Sequence, residues 1–558
     1  MCPLARAAAL VRLFPNASSL DLPYSTVTTT TSTTQREEPH RLDASVSELL
    51  VLGGDDRTAV NLETGLNSYG CAPWLRPETV PLGTCTGSSP STVAINGAEA
   101  ARRTLHAAAA RGDFSAVSEQ MYESIREDLA EMLVLGRASG TQIALTASGT
   151  DAEYLATLLC LRDRTRALCN IAFGPSDAGS GSAVAAGWRH FNSAVPTGER
   201  RVKGTPIDNE IADLVDIWTL ALRHDDGALR APGEIDREAR HVVERALERD
   251  CRVLLHVVAH SKTAMHAPSL GALADIRRRY PDRVDVLVDA AQGRFSRRGL
   301  AEVLQLGYLV LVTGSKFYGG PPFAGALLIP PGTGFVPAHI ATLPTALGDF
   351  LTAGAIPRSW AERRRDLPDR PNVGLLLRWS AAVAEMRRYY AVPGDARYRV
   401  LRAYESMVPR LFAESPAIEL QVFPPLLADD EQRVLQSKTT VYSFHVRRPD
   451  GSRIPLEGLL ELHRWLNVDA SRRIGPDATE AERRIARRSF HLGQPVALGA
   501  PPRQEPAVLR LALGGPLICD VSEDPRFGAT LDERLAWLED QILALRRKIE
   551  LLAATLAC

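Results

Sequence analysis

Between about residues 111 and 330 two hydrophobic periods alternate along the chain. The stretch FSAVSEQMYESIREDLAEML repeats apolar residues at three- and four-residue spacing, which gathers them on one face of a helix, and DAEYLATLLCLRD reads as helical again. Between and after them stand short apolar runs closed by polar or turn residues: TQIALTAS, RALCNIAF, RVLLHVVAH, RVDVLVDAA and GYLVLVTGS. Their length and apolar content predict buried strands. Strands alternating with helices predict an α/β fold, a mostly parallel sheet covered by helices on both faces. Ligands of such sheets gather beyond the carboxyl ends of the strands.

After about residue 375 the pattern changes. A helical stretch precedes the alternating strand KTTVYSFHVRR, and AVLRLALGG follows later, which predicts a smaller α+β domain. The charge run in SRRIGPDATEAERRIARRSF predicts a solvated helix or loop. In the last helix Leu531, Leu535, Leu538, Ile542, Leu545, Ile549, Leu552 and Leu556 keep a four-three spacing. That stripe suits a coiled coil or a helix docked on the protein's own surface. At the other end, YSTVTTTTSTTQREEPH has almost nothing to bury and predicts a disordered tail. The expected division is a tail at 1–41, an amino-terminal lid segment at 42–110, a large domain at 111–375, a small domain at 376–530 and the heptad helix at 531–558.

Composition narrows the function. A chain of 558 residues, 45% hydrophobic and 23% charged, is that of a globular protein of two or three domains. Its net charge of −1 supplies no field for nucleic acid or a membrane surface, so a charged ligand must be met by particular residues. No apolar run approaches the ~18 residues of a membrane span. The eight cysteines are scattered, without CxxC pairs or Cys/His metal spacing. They read as reduced thiols in a cytoplasmic protein with no metal site.

Lysine is the rare residue. Of 65 basic residues only Lys203, Lys262, Lys316, Lys438 and Lys548 are lysines. Arginine stays protonated, whereas a buried lysine can lose its proton and form a Schiff base with a carbonyl. Lys316 stands in VTGSKFYGGPPFAGALLIP, between an apolar strand and a Gly/Pro-rich turn. Lys262, after RVLLHVVAHS, is its one rival. Two further segments fall in with it. In LTASGTDAEYLATLL a strand runs into Ser148-Gly149-Thr150 and a helix follows, offering hydroxyls, backbone N–H groups and a positive helix end to a phosphate. A capped helix explains those residues equally well. In VDVLVDAAQGRF, Asp289 closes an apolar strand, where a carboxylate needs a cation or donors. A protonated pyridine would serve, as would a structural ion pair.

A phosphate cradle, a pyridinium partner and a reactive amine, in that order, match the three handles of pyridoxal 5'-phosphate. VDAAQ and SKFYGGPPFAGAL resemble the class V aminotransferase and cysteine desulfurase branch of the fold-type I pyridoxal-phosphate enzymes, over about residues 60 to 525. The resemblance implies a large domain with a mostly parallel seven-stranded sheet between helices, and that Lys316 carries the cofactor and moves the substrate proton. It also implies that Asp289 pairs with the ring nitrogen and Gln292 approaches the ring hydroxyl, while Gly149, Thr150 and Ser315 bind phosphate. His260, in HSKTAMHAP, falls beside the ring or in the core. Arg370, in LPDRPNVG, stands where the branch has a threonine through which a neighbouring subunit reaches the phosphate. Arg510, in AVLRLALGG, stands where many fold-type I enzymes bind a substrate carboxylate. Asn67 and Tyr69, in TGLNSYGCAPWLRP, fall on a loop that either covers the substrate or packs as a connector.

Two departures bear on activity. The stretch 467–500 holds no cysteine, which argues against desulfurase chemistry, and GPSDAGSGSAVAAGWRHF offers no stacking aromatic before Trp188 and His190. The expected function is therefore an amino-acid-processing pyridoxal-phosphate enzyme, aminotransferase-like and homodimeric. Elimination or replacement, including carbon–carbon bond formation, is the alternative. A non-catalytic cofactor-binding regulator is a third reading.

Overall fold

The computed structural model describes residues 42–133, 140–162, 164–174, 177, 179, 181–331, 335, 342–421, 440–499 and 505–556. The expected tail and Lys438 lie outside them. The strands are β1 (Thr79–Leu82), β2 (Gln142–Thr146), β3 (Leu168–Phe173), β4 (Val215–Leu220), β5 (Arg252–Val258), β6 (Val284–Asp289), β7 (Leu309–Thr313), β8 (Gly325–Ile329), β9 (Ile418–Leu420), β10 (Val441–Val446), β11 (Ser489–Ala497) and β12 (Ala507–Ala512).

Seven of them form one sheet in the order β2-β8-β7-β6-β5-β3-β4. All run parallel except β8, which is antiparallel to both β2 and β7. Each of the five apolar runs supplies one strand. Two more escaped the pattern. In VDIWTL, β4 is an edge strand whose side chains are mostly half-buried, so its apolar signal is diluted. In GALLI, β8 is fully buried but begins directly at the end of the Gly/Pro turn. Glycine is required at its first position, since a Cβ on Gly325 would lie 2.4 Å from the Ser148 carbonyl carbon.

The longer helices are α1 (Thr92–Arg111), α2 (Phe114–Met132), α3 (Gly149–Leu161), α4 (Pro232–Glu248), α5 (Leu270–Arg279), α6 (Arg297–Gln305), α7 (Val373–Ala391), α8 (Gly394–Ala413), α9 (Leu456–Leu466), α10 (Glu480–Arg487), α11 (Gly515–Glu523) and α12 (Leu531–Thr555). Helix α1 packs along α7, and its carboxyl end turns at Gly112, whose φ of +82° suits glycine. A second sheet has five strands, ordered β1-β11-β12-β10-β9. Its strand β1 comes from the amino-terminal segment and pairs parallel with β11, Thr79 opposite Ser489. The stretch 42–110, expected as a lid, contributes a strand to this five-stranded sheet and the helix α1. The charge run forms α10, closed by a reciprocal cap between Thr479 and Glu482.

Helix α12 resolves the heptad stripe. Leu538, Ile542, Leu545, Ile549 and Leu552 are buried within the chain's own core, where α12 meets α8, α9, α10 and α11. Lys548 is fully buried and donates to the carbonyls of Leu466, Val468 and Arg488 at 3.2, 2.7 and 2.5 Å. Among the described residues no helix is long and apolar enough to cross a membrane, and six cysteines are buried and unbridged.

Candidate functional site

The parallel strands bring their carboxyl ends to one edge of the sheet. In the register Asp289 lies beside Val258 of β5 and Leu311 of β7, five residues before Lys316. Thr313 at the end of β7 donates to the Ala291 carbonyl at 2.6 Å, and Ala291 N–H donates to the Asp289 carboxylate at 3.0 Å. The turn at the start of α3 meets the same place: a Cβ on Gly149 would come within 2.9 Å of Leu311, 3.3 Å of Thr313 and 3.7 Å of Ala291. Three segments separated by up to 168 residues of sequence therefore share one recess. Lys316, Asp289 and Gly149 are half-buried while most of their neighbours are buried, so they form the solvent-reached wall of that recess.

The charges there are unequal. Burial lowers the Lys316 pKa, Asp289 pulls it back up, and Arg510 and Arg294 lower it further. Lys262, the rival lysine, comes to the same recess. Its pKa falls to about 7 through burial and through Arg510 and Lys316. Burial also keeps His260 neutral, well below the usual histidine range. His260 meets His266 edge-on at 5.2 Å.

The turn Ser148-Gly149-Thr150 serves both of its readings. Ser148 caps α3 through the Asp151 N–H at 3.3 Å and donates to the Asp151 carboxylate at 2.5 Å. Asp151 is buried and its pKa rises to about 7, by desolvation and then by Asp55. Ser148 also accepts from Arg57 at 3.1 Å, and Thr150 lies 3.5 Å from the same guanidinium. Ser315 is 1% exposed and its hydroxyl finds no hydrogen-bond partner. A buried hydroxyl left without a partner costs about 1–3 kcal/mol, which an anionic oxygen arriving there would offset. Arg57, Ser315 and the α3 amino end thus offer donors suited to an anion such as a phosphate, and Asp289 offers a carboxylate suited to a protonated ring nitrogen.

The remaining expected residues separate. Arg510, on β12 of the five-stranded sheet, is 1% exposed and donates to the Gln494 carbonyl at 3.0 and 2.7 Å and to Thr86 at 3.0 Å. Tyr69 sits edge-on to Phe323 at 5.6 Å, with Arg57 beside its phenol. Asn67 turns to its own backbone, accepting from the N–H groups of Tyr69 and Cys71 at 3.0 Å each, and shapes the loop that carries Tyr69. Gln292 is buried with its amide bonded to the Cys85 carbonyl and to Arg294, both at 3.0 Å. Arg370 lines a cleft of about 770 Å³ with Glu119, Tyr122, Arg358 and Arg364, and neither Ser148 nor Thr150 lines that cleft.

Sequence reading missed two arginines. Arg57 is fixed by Asp55 at 2.5 Å and lies over the rings of Phe323 and Phe191 at 4.4 and 5.0 Å. Its target, Ser148, is 91 residues away, so no local pattern marks it. Arg294 is 2% exposed and joins Gln292, Thr84, Thr440 and the Leu513 carbonyl, tying the edge of the seven-stranded sheet to the ends of β10 and β12. It stands two residues beyond the recognised Gln292, and its burial alone separates it from the chain's many surface arginines.

No protein-family model matches the chain, and no curated protein matches it. Among solved structures it is similar to the cysteine desulfurase CsdA of Escherichia coli, with 13% identity over 84% of this chain and 96% of that one and a TM-score of 0.45. The cystine C-S lyase C-DES gives 15%, 84%, 98% and 0.47 for the same quantities. Oryza sativa TDC with PLP and tryptamine gives 13%, 88%, 86% and 0.47.

Proposed function

We propose that this chain is a pyridoxal 5'-phosphate-dependent enzyme that acts on an amino acid, with Lys316 as the residue that carries the cofactor. The observation that supports this reading is the convergence of Lys316, Asp289 and the 148–150 turn on one recess at the carboxyl edge of the sheet. The bound cofactor supplies a carbonyl for an amine to join and an electron sink for the substrate α-carbon. The protein supplies the rest. Asp289, held by the Ala291 N–H, keeps a proton on the ring nitrogen. Lys316, with its pKa lowered by burial, takes a proton from the substrate α-carbon and returns one. Arg57, Ser315 and the first turn of α3 would hold the phosphate, neutral His260 would be a contact of the ring, and Arg510 would receive the substrate carboxylate.

Within this reading the reaction is transamination, in a homodimer. Elimination or replacement is the second reading, favoured by the Tyr69 phenol, a group able to hand a proton to a leaving group and placed beside Arg57. The test is the visible absorbance of lysine-bound pyridoxal in the purified protein. It should be present in the wild type, absent in Lys316→Ala, and altered by an amino acid added to the wild type. A wild type that takes up no pyridoxal phosphate would end the reading. Cofactor taken up with no response to any amino acid would leave the regulator instead.

A further inference from the structure

The turn that carries Lys316 is tightly built. The Gly314 N–H closes its base on the Ala324 carbonyl at 2.9 Å, and the Gly320 N–H returns to the Gly314 carbonyl at 3.0 Å. The turn lies flush on α7, since a Cβ on Gly314 would come 2.5 Å from the Ala382 Cβ. Phe323, seven residues after Lys316 and 7% exposed, belongs to this turn.

A second segment, residues 50–58, is pinned to the same helix. Arg378 of α7 is fully buried, and its guanidinium donates to the carbonyls of Leu50 at 3.0 Å, Gly53 at 2.9 Å and Leu52. Its Nε donates to the Phe323 carbonyl at 2.6 Å. One side chain thus ties the segment that carries Arg57 to the turn that carries Lys316.

The two segments meet again at a ring. The Arg57 guanidinium lies over Phe323, 4.4 Å from the ring centre, and Tyr69 packs edge-on against the same ring at 5.6 Å, which limits its rotation. Asp55 accepts from Nε and Nη2 of Arg57 at 2.8 and 2.5 Å. A paired carboxylate lets a guanidinium swing about the line of the pair, and a ring beneath it restricts that swing. Held in both ways, Arg57 brings Nη2 to within 3.1 Å of the Ser148 hydroxyl and Nη1 to within 3.5 Å of Thr150.

We propose that Phe323 is a positioning residue for the phosphate: its ring sets the Arg57 guanidinium against the 148–150 turn, so that the turn presenting Lys316 also builds the grip on the anion. The inference rests on Arg57 meeting the phosphate of the cofactor, and Phe323 acts through Arg57.

The test is equilibrium dialysis of the full-length chain against pyridoxal 5'-phosphate and against pyridoxal, which has the aldehyde and the ring nitrogen but no phosphate. Two variants remove the aromatic ring, Phe323→Leu and the longer Phe323→Met, so that one folded protein suffices, and Phe323→Tyr keeps it. Loss of the ring should weaken pyridoxal 5'-phosphate about tenfold and leave pyridoxal unchanged, whereas Phe323→Tyr should bind both as the wild type does. Combined with Arg57→Ala, loss of the ring should cost pyridoxal 5'-phosphate nothing beyond what Arg57→Ala costs alone. Losses that multiply in the double variant, or a ringless variant that weakens both ligands alike, would overturn the positioning role and leave the cofactor reading standing. A wild type that binds neither ligand would sink the cofactor reading and this inference with it.

Discussion

The carboxyl edge of the seven-stranded sheet and the core beneath helix α12 each enclose a lysine, under opposite terms. Lys548 is fully buried, and three backbone carbonyls accept its three hydrogens. Lys316 is half-buried, in a space where Arg510 and Arg294 press on its proton and Asp289 opposes them. Burial lowers both pKa values, that of Lys548 to about 7. The difference lies in what surrounds the amine. Acceptors on every side make Lys548 a clamp across the carboxyl end of α9 and the start of β11, whereas the solvent-reached recess leaves the Lys316 amine open to a reagent. A depressed lysine pKa therefore marks chemistry only where the amine is also within reach of an incoming molecule.

Exchanging the two lysines for inert residues should separate these roles. Lys316→Ala should cost the most, on the order of 10³-fold or more in turnover, with an unchanged melting curve. Lys548→Met should do the converse: unpairing three buried carbonyls should lower unfolding free energy by about 3 kcal/mol in denaturant titration, while turnover per folded molecule holds. Arg57→Ala should weaken pyridoxal phosphate binding about 10- to 100-fold, read by equilibrium dialysis, and Ser315→Ala by about tenfold or less.

The subtlest contrast is in pH. The Lys548 pKa of about 7 lies below the ~10.4 of an unfolded lysine, so between those values the unfolded chain holds a proton that the folded chain has released. Stability from this group is then lowest below about pH 7 and rises toward pH 10, and the margin of wild type over Lys548→Met should widen across that window. A constant margin would mean that the three carbonyls keep the proton on the amine against burial.

The part of the site that follows strand ends was legible in the sequence. Asp289 and Lys316 each close or follow an apolar run, and parallel strands deliver such residues to one edge whatever the intervening chain does. Ser148 was legible because a helix start has its own local signature. Arg57 and Arg294 were not, since each acts on residues far along the chain and nothing local distinguishes a buried arginine among sixty. Asn67 was readable as a polar loop residue, but whether it faces a substrate or its own turn depends on a dihedral that composition does not fix. The heptad stripe gave the helix and its buried face; the partner was set by α8 through α11, which the pattern of α12 alone does not contain.

The pairing of Thr79 with Ser489 has a consequence for how the protein is made. On the ribosome β1 emerges early and must wait for more than 400 further residues before its neighbour exists. The seven-stranded sheet, whose last strand ends at Ile329, can close well before then. Translation would thus yield a closed seven-stranded sheet while β1 is still unclaimed. The five-stranded sheet would be finished only once Ala512 has left the exit tunnel.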